Sequence, residues 1–443
     1  MRNKLLTSII LTLLSFGVAY SQNLNKPKLD SLFNILAEKN KGMGSLAISK
    51  NGTVLYSKAI GYSVISDKEK KPATITTKYR IGSITKMFTA VMIFQLVEEG
   101  AIKLNTTLDT YFPNVPNAKL ITISNLLDHR SGLHNFTADP DYTKWMTQPK
   151  TQAEMLTIIT KASTDFQPNE KADYSNTNFV LLGYIIEKIT GQSYSKNLQE
   201  RIISKIGLSN TRVGSKIDAN NNESFSYHFV TDWKPEPETD MSIPGGAGSI
   251  ISTPTDLTKF IEALFALKLV SKSSLLQMKT MTDGFGMGMF QVPFHDKKGY
   301  GHNGGIDGFA SELYYFPEDS LAVAYCTNGK GYSMNDILIG VLSIYYGLNY
   351  SIPTFNTLEL KTTDLDKYLG VYSSPQFPLK ITITKENTAL SAQASGQSPF
   401  PLEATEKDKF KFDPAGITFE FNPDKNEMTF KQRGGVFSFT KDK

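Results

Sequence analysis

Three scarcities narrow the class of protein first. The chain has one cysteine among 443 residues, Cys326, so no disulfide can form within it. It has no run of basic residues, and a formal net charge of +4 argues against nucleic acid as a partner. After its N-terminal segment it has no apolar stretch close to the roughly 20 residues that a membrane-spanning helix needs. We therefore expect a globular protein without a membrane span after that segment.

The first 21 residues have the pattern of an export signal. Two basic residues precede an apolar run over residues 5–18, and the small-x-small tripeptide AYS follows at 19–21. The apolar run is shorter than a membrane anchor would need. We expect cleavage before Gln22 and a periplasmic or secreted protein.

Two architectures follow each other along the rest of the chain. Residues 22–352 alternate helical patterns with short strands, and predicted hairpins lie near both ends, one of them turning at Asn51-Gly52. This order favours an α+β domain with one antiparallel sheet, built from its two ends and flanked by helices. Residues 353–443 show only short alternating strands separated by turn clusters, which predicts a small all-β barrel or sandwich.

The stretch Tyr79–Gly100 carries the first candidate site. It is almost solidly apolar from residue 87 to 97, which predicts a buried helix, yet Lys86 lies at its start, three residues after Ser83. Residues three apart share a helix face. A desolvated lysine holds its proton weakly and can act as a base toward the serine hydroxyl. The alternative is a helix-capping serine with a lysine that reaches solvent.

Two further elements strengthen the catalytic interpretation. Tyr174-Ser175-Asn176 stands in a polar segment directly before an apolar helix, where a phenol can relay protons and an amide can bind a carbonyl. His302-Asn303-Gly304-Gly305 is expected in a glycine-rich turn before a strand, where backbone N–H groups can approach a ligand. Each element alone also fits a structural role: an ordinary helix cap for the first, a hydrogen-bonding histidine for the second.

In this order the three elements resemble the serine β-lactamase and penicillin-binding-protein superfamily, specifically its class C-like branch. Its Ser-x-x-Lys, Tyr-x-Asn and Lys/His-x-Gly motifs match residues 83–86, 174–176 and 302–304. The branch includes D-alanyl-D-alanine carboxypeptidases, D-aminopeptidases, esterases and class C β-lactamases. The resemblance covers roughly residues 27–348 and implies that family's sheet with a helical subdomain. The C-terminal module resembles the lipocalin-like domains often appended to the branch. Three supporting stretches are also similar, at residues 121–133, 179–194 and 246–260.

The resemblance implies a role for each motif residue. Ser83 would form an acyl-enzyme, while Lys86 and Tyr174 would share the acid and base work. No metal or organic cofactor would be needed, and the partner would be a peptide or another small-molecule substrate. Asn176 would hold the acyl side of the substrate, and His302 would have a cationic or hydrogen-bonding role. Asn303 and Gly304 would contact the substrate. The N–H groups of Ser83 and Gly305 would form the oxyanion hole.

Two departures from the class C β-lactamase pattern bear on the substrate. Those enzymes usually have lysine where His302 stands and a hydroxyl where Asn303 stands, and that hydroxyl helps to bind a substrate carboxylate. We therefore expect a peptidase, carboxypeptidase-like or D-aminopeptidase-like, acting on small D-amino-acid peptides. A short-chain esterase or a weak β-lactamase is the alternative, and a non-catalytic ligand-binding protein with the same fold is an alternative from another class.

Overall fold

The computed structural model of the protein describes residues 24–229, 232–355, 358, 360–386, 389–397, 399–432 and 434–442. The predicted signal at 1–21 and its cleavage point lie outside the described residues. Among the helices that the structure describes, all are too short or too polar to cross a bilayer.

The helices and strands follow the predicted order. The α-helices are α1 Lys26–Glu38, α2 Thr85–Glu98, α3 Ile123–Leu127, α4 Tyr142–Trp145, α5 Gln152–Lys161, α6 Asn176–Thr190, α7 Tyr194–Leu198, α8 Ser204–Ile206, α9 Gly245–Gly248, α10 Pro254–Phe265, α11 Lys272–Lys279 and α12 Met334–Tyr345. The strands are β1 Gly42–Lys50, β2 Thr53–Ile60, β3 Tyr62–Ile65, β4 Lys70–Pro72, β5 Tyr79–Arg80, β6 Arg212–Val213, β7 Tyr227–Phe229, β8 Trp233–Pro235, β9 Ile250–Ser252, β10 Phe290–Phe294, β11 Lys297–Ile306, β12 Phe309–Phe316, β13 Leu321–Lys330, β14 Gly370–Ser374, β15 Phe377–Glu386, β16 Ala389–Ala394, β17 Phe400–Glu406, β18 Lys409–Phe412, β19 Ile417–Asn422, β20 Glu427–Gln432 and β21 Gly435–Lys441.

The main sheet is antiparallel along the path β10-β11-β12-β13-β1-β2, which confirms a sheet built from both ends of the domain. Its first hairpin turns at Asn51 and Gly52, whose φ angles of 51° and 78° are both positive, as a two-residue hairpin turn requires. The last strand pairs β1 in register from Gly42↔Lys330 to Lys50↔Leu321, with one bulge. The terminal helices α1 and α12 pack on one face of this sheet.

The opposite face of the sheet packs against the helical core. Helix α2 is buried all round, because its sequence offers no polar face from Met87 to Leu96 apart from Thr89 and Gln95. Its Phe88 stacks on Phe260 of α10 at 3.7 Å between ring centres. A helix enclosed in this way holds the residues at its N-terminus in a fixed position, which suits a catalytic site.

The C-terminal module is a closed eight-stranded antiparallel barrel, β14 to β21 in sequence order, so of the two predicted all-β forms the barrel is correct. The barrel has its own core of inward-facing side chains from alternating strand positions, such as Ile381, Phe419 and Phe430. Closure pairs β14 with β21 and leaves no free strand edge. The exact boundary at 352/353 stays a prediction.

Candidate active site

Ser83 lies in a 3-10 turn, Gly82–Ile84, that leads directly into α2. The preceding Gly82 has φ +51°, and a Cβ atom built on it would lie 2.8 Å from the backbone nitrogen of Gly305. A side chain there would therefore meet both backbone strain and a steric clash. Glycine at this position lets the turn that carries Ser83 pack closely against β11.

Lys86 is fully buried at the start of α2. Its Nζ lies 3.0 Å from Ser83 Oγ, 2.8 Å from Asn176 Oδ1 and 2.8 Å from the carbonyl oxygen of Ala247. Burial holds the pKa of Lys86 well below its usual value. The side-chain nitrogen of Lys86 therefore contacts both of the other predicted residues, the serine and the asparagine.

The partners of Lys86 define what its nitrogen does when neutral. A neutral amine has two N–H donors and one lone pair. The Ala247 carbonyl and Asn176 Oδ1 can only accept, so they take the two donors. The lone pair is then left for the hydroxyl proton of Ser83, which is the arrangement of a general base.

Tyr174 donates its hydroxyl to Ser83 Oγ at 2.7 Å. Burial raises the pKa of Tyr174 above that of an ordinary phenol, so this hydroxyl keeps its proton at neutral pH. Its ring centre lies 4.9 Å from Lys86 Nζ, within cation–π range. The oxygen of Ser83 thus accepts a hydrogen bond from the phenol of Tyr174 and lies beside the amine of Lys86. One neighbour can donate a proton and the other can accept one.

Asn176, the first residue of α6, is fixed from two directions. Its side-chain amide donates to Thr137 Oγ1 at 3.0 Å, while its backbone N–H donates to Asn135 Oδ1 at 3.1 Å. Its Oδ1 is occupied by Lys86. The side chain therefore stands beside Ser83 in one orientation, with its amide group at the wall of a pocket.

The predicted glycine-rich turn at 302–305 is wrong. These residues lie inside strand β11, with His302 opposite Leu313 and Gly305 opposite Ala310. Gly304 serves close packing in an extended strand, because a Cβ there would lie 2.0 Å from the carbonyl oxygen of Ile81. The turn comes afterwards, at Asp307-Gly308, and joins β11 to β12.

His302 points to the buried side of β11 and is only 1% exposed. Burial, with a smaller contribution from the nearby Lys86 charge, lowers the pKa of His302 to about 3. Its ring packs on Phe290 at 4.5 Å between centres and lies 6.3 Å from the ring of Tyr174. Of the two roles left open for this residue, the neutral hydrogen-bonding one fits, and its Nδ1 contacts the Asn303 carbonyl.

Two cavities meet at Ser83 and Gly305. The smaller one, about 180 Å³, includes Asn176, Thr137 and Tyr142 in its wall. The larger one, about 1170 Å³, includes Asn303 and Gly304 and extends along β12 toward the barrel. Ser83 is therefore placed between a compact pocket and a long cleft.

The single cysteine does not line either of these cavities. Cys326 is buried in β13, and burial raises the pKa of its thiol, which is typical of a structural rather than a reactive thiol. Within the part of the chain that the structure describes, no three His, Cys, Asp or Glu side chains cluster in a way that could hold a metal ion.

His129 is a site residue that was not singled out from the sequence. It is 2% exposed, has φ 59°, and its ring lies 4.5 Å from the ring of Tyr174. Its Nδ1 accepts the backbone N–H of Ser175 at 3.2 Å. The imidazole thereby supports the tyrosine and the segment that bears it. Its only sequence signal was a place in the stretch LLDHRSGL, and nothing local connects that stretch to residue 174.

Comparison with known proteins agrees with this geometry. The family model described as beta-lactamase matches residues 33–340. Penicillin-binding protein 4* of Bacillus subtilis (strain 168) is 27% identical over 436 residues, covering 90% of this chain and 94% of that protein. Teichoic acid D-alanine hydrolase of Staphylococcus aureus (strain MRSA252) is 29% identical over 316 residues, covering 68% of this chain and 72% of that protein.

A solved structure gives the same result. The crystal structure of D-amino acid amidase from Ochrobactrum anthropi SV3 complexed with D-phenylalanine has a TM-score of 0.63 and 26% identity, covering 72% of this chain and 99% of that one. The family match spans well over half of the chain, and the lysine of the first motif and the tyrosine of the second both contact the serine oxygen. The third motif, on β11, lines the cleft that begins at that serine. This chain belongs to the beta-lactamase family and is a serine hydrolase of the beta-lactamase and penicillin-binding-protein superfamily.

Proposed function

We propose that the protein is an exported hydrolase that releases a small D-amino-acid residue from an amide or ester through an acyl-enzyme on Ser83. The observation that carries the proposal is the contact of Ser83 Oγ with Lys86 Nζ at 3.0 Å and Tyr174 OH at 2.7 Å. A base and an acid on one hydroxyl provide for both halves of acyl transfer.

Acylation begins with proton transfer from Ser83 to the neutral Lys86. The serine oxygen attacks the substrate carbonyl, and the developing oxyanion is held by the backbone N–H groups of Ser83 and Gly305. Collapse breaks the bond to the leaving group, which takes a proton from the Tyr174 hydroxyl. The Lys86 ammonium, 4.9 Å from the tyrosine ring centre, balances the phenolate that remains.

Deacylation reverses these roles. The Tyr174 phenolate removes a proton from a water molecule, and the resulting hydroxide attacks the acyl carbonyl. Lys86 then returns its proton to the serine oxygen as the ester breaks. Both groups recover their starting protonation states, and water supplies one proton to the leaving group and one hydroxyl to the acid.

The cavity sizes support a small acyl group. In the family pattern the asparagine of Tyr-x-Asn holds the acyl side, and here Asn176 lines the pocket of about 180 Å³. The relatives are consistent with this: one is named for D-alanine hydrolysis and another for D-amino acid amides. We infer that the acyl residue is a single small D-amino acid and that the leaving group occupies the larger cleft.

The residues beside the leaving group argue against a substrate with a free carboxylate there. The neutral His302 supplies no cation, and Asn303 offers an amide where a class C β-lactamase has a hydroxyl. This favours aminopeptidase-like or esterase action over carboxypeptidase or β-lactamase action. Export remains part of the proposal and rests on the N-terminal sequence pattern alone.

A fluorophosphonate probe, which phosphonylates a reactive serine, tests the proposal when combined with peptide mass mapping. Labelling of Ser83 together with turnover of D-alanyl amides or esters is the expected result. Stoichiometric binding of D-alanyl amides without any labelling of Ser83 would favour the non-catalytic binding protein instead. Turnover of the L-isomers at the same rate would contradict the D-amino-acid assignment.

A further inference from the structure

The long cleft is not built by the catalytic domain alone. It starts at Ser83 and Tyr174, follows β11 and β12, and ends against the barrel. Its far end is lined by the first turn of α12, from Ser333 to Asp336, and by residues 414–416 of the barrel. Its volume of about 1170 Å³ lies above the roughly 300–1,000 Å³ typical of pockets for drug-sized ligands.

The barrel reaches the cleft through one turn. We call residues 413–416 the barrel turn; it is a 3-10 turn, Asp413–Ala415, followed by Gly416 with φ +61°, and it joins β18 to β19. A Cβ built on Gly416 would lie 3.9 Å from the side chain of Ser333, so the turn and the start of α12 are in van der Waals proximity. The two therefore close the same end of the cleft from opposite domains.

Lys41 holds the barrel turn in place. It precedes β1 in the catalytic domain and is 5% exposed. Its Nζ lies 2.8 Å from Asp413 and 2.6 Å from Glu403, both in the barrel. Of the ion pairs formed by described residues, those of Lys41 are the ones that join the two domains. Without Lys41, Asp413 keeps its ion pair with Lys411 at 3.0 Å inside the barrel, but the two ion pairs that tie the barrel to the catalytic domain at this point are lost.

We propose that the barrel turn is part of the substrate site: it forms the far wall that receives the leaving group, and Lys41 is its positioning residue. This inference rests on the proposed function. A cleft of about 1170 Å³ that runs from Ser83 to the barrel turn has room for more than one residue beyond the scissile bond. The preferred substrate is then a small D-amino acid joined to a peptide of several residues, and a single amino-acid amide leaves the far wall untouched.

The test compares two substrates on the full chain. The short one is D-alanine p-nitroanilide and the long one is a hexapeptide with D-alanine at its N-terminus. Lys41→Met should lower the ratio of long-substrate to short-substrate kcat/KM at least tenfold, mainly through the KM of the long substrate. Lys431→Met is the matched control, because it breaks the 2.8 Å pair with Glu420 within the barrel and should leave the ratio unchanged.

Equal loss on both substrates, or no change in the ratio, would overturn the inference while leaving the proposed function intact. If Lys41→Met does not fold, Asn335→Trp serves instead, since Asn335 is exposed in the first turn of α12 and lines the same far end. It should lower the same ratio, and an unchanged ratio would overturn the inference. A wild-type protein that cleaves neither substrate and is not labelled at Ser83 would overturn both proposals.

Discussion

Asn303 on β11 and Glu312 on β12 are direct cross-strand partners, and both line the cleft that begins at Ser83. Burial raises the pKa of Glu312 to about 7, with Tyr314 and Lys330 as the neighbours that act in the opposite direction. An acid group that titrates near neutral pH therefore faces the middle residue of the His-x-Gly motif.

Stability should depend on pH through Glu312. Its pKa is raised in the folded state, so between its ordinary value of 4.5 and about 7 the folded protein binds more protons than the unfolded chain. The free energy of unfolding must then fall as pH rises through this window. Glu312→Gln should remove that slope and stabilise the protein at pH 8 by on the order of 2 kcal/mol relative to wild type. Urea titrations at pH 5 and pH 8 give the free energy of unfolding of wild type and of Glu312→Gln. An equal change with pH in the two proteins would contradict the prediction.

Ser83→Ala should fold normally and lose essentially all turnover, because no other nucleophile lies at that position. Lys86→Ala and Tyr174→Phe should each reduce kcat by on the order of a hundredfold or more, without adding independently, since both act on one oxygen.

Ser193→Ala is a matched control: it belongs to a second Ser-x-x-Lys sequence but caps α7, accepting the N–H of Lys196 at 3.2 Å. Ser193→Ala should lower the free energy of unfolding by about 1 kcal/mol and leave the activity unchanged. Wild-type kcat in Ser83→Ala would refute the assignment.

Activity should fall on the acid side as Lys86 becomes protonated. Burial lowers its pKa far below 10.5, so the neutral base is present at much lower pH than for an ordinary lysine. A profile of kcat/KM against pH should rise with pH as Lys86 loses its proton. The pH at the midpoint of this rise should be the same in His302→Gln, because the pKa of His302, about 3, lies below the assay range. If this rise shifts to another pH or disappears in His302→Gln, the titrating group is the histidine instead.

Gly82→Ala should damage the site more than an ordinary glycine replacement. The new Cβ would lie 2.8 Å from the nitrogen of Gly305, in a left-handed backbone that itself costs roughly 1–2 kcal/mol for other residues. We expect at least a tenfold fall in kcat, since both oxyanion-hole positions must shift. Gly100→Ala, which has φ +74° but open space around it, should show the backbone cost alone and keep its kcat. Equal kcat values for the two variants would contradict the prediction.

Turnover of β-lactams should be slow, with a kcat/KM below that of the best D-alanyl peptide or ester. The site has a neutral histidine and an amide where class C β-lactamases present a cation and a hydroxyl. Asn303→Thr should raise the acylation rate for a chromogenic cephalosporin, because it restores a hydroxyl donor for the substrate carboxylate. A wild-type β-lactam kcat/KM above the peptide and ester values would show that the substrate assignment is wrong.

The sequence by itself determined most of the local structure and the chemical identity of the site. The solid apolar run after Lys86 predicted a buried helix and Asn51-Gly52 predicted a tight hairpin turn, and both predictions are confirmed, because each reflects forces between residues close in the chain. Ordered motifs then singled out Ser83, Lys86, Tyr174 and Asn176. The expectation for 302–305 was wrong because four consecutive residues with two glycines favour a turn locally, and only pairing with β12 makes them a strand.

Tertiary structure decided what depends on distant residues coming together. The carbonyl of Ala247 that occupies one donor of Lys86 lies 161 positions away along the chain, and the His129 ring behind Tyr174 comes from another segment. The burial that lowers the pKa of His302 likewise exists only in the folded chain. Residues 413–416 carry no local sign of a place beside the cleft. They reach it only in the folded chain, where Asp413 pairs with Lys41 and Gly416 lies near Ser333. Desolvation and long-range packing set these properties, and neither can be read from the residues that carry them.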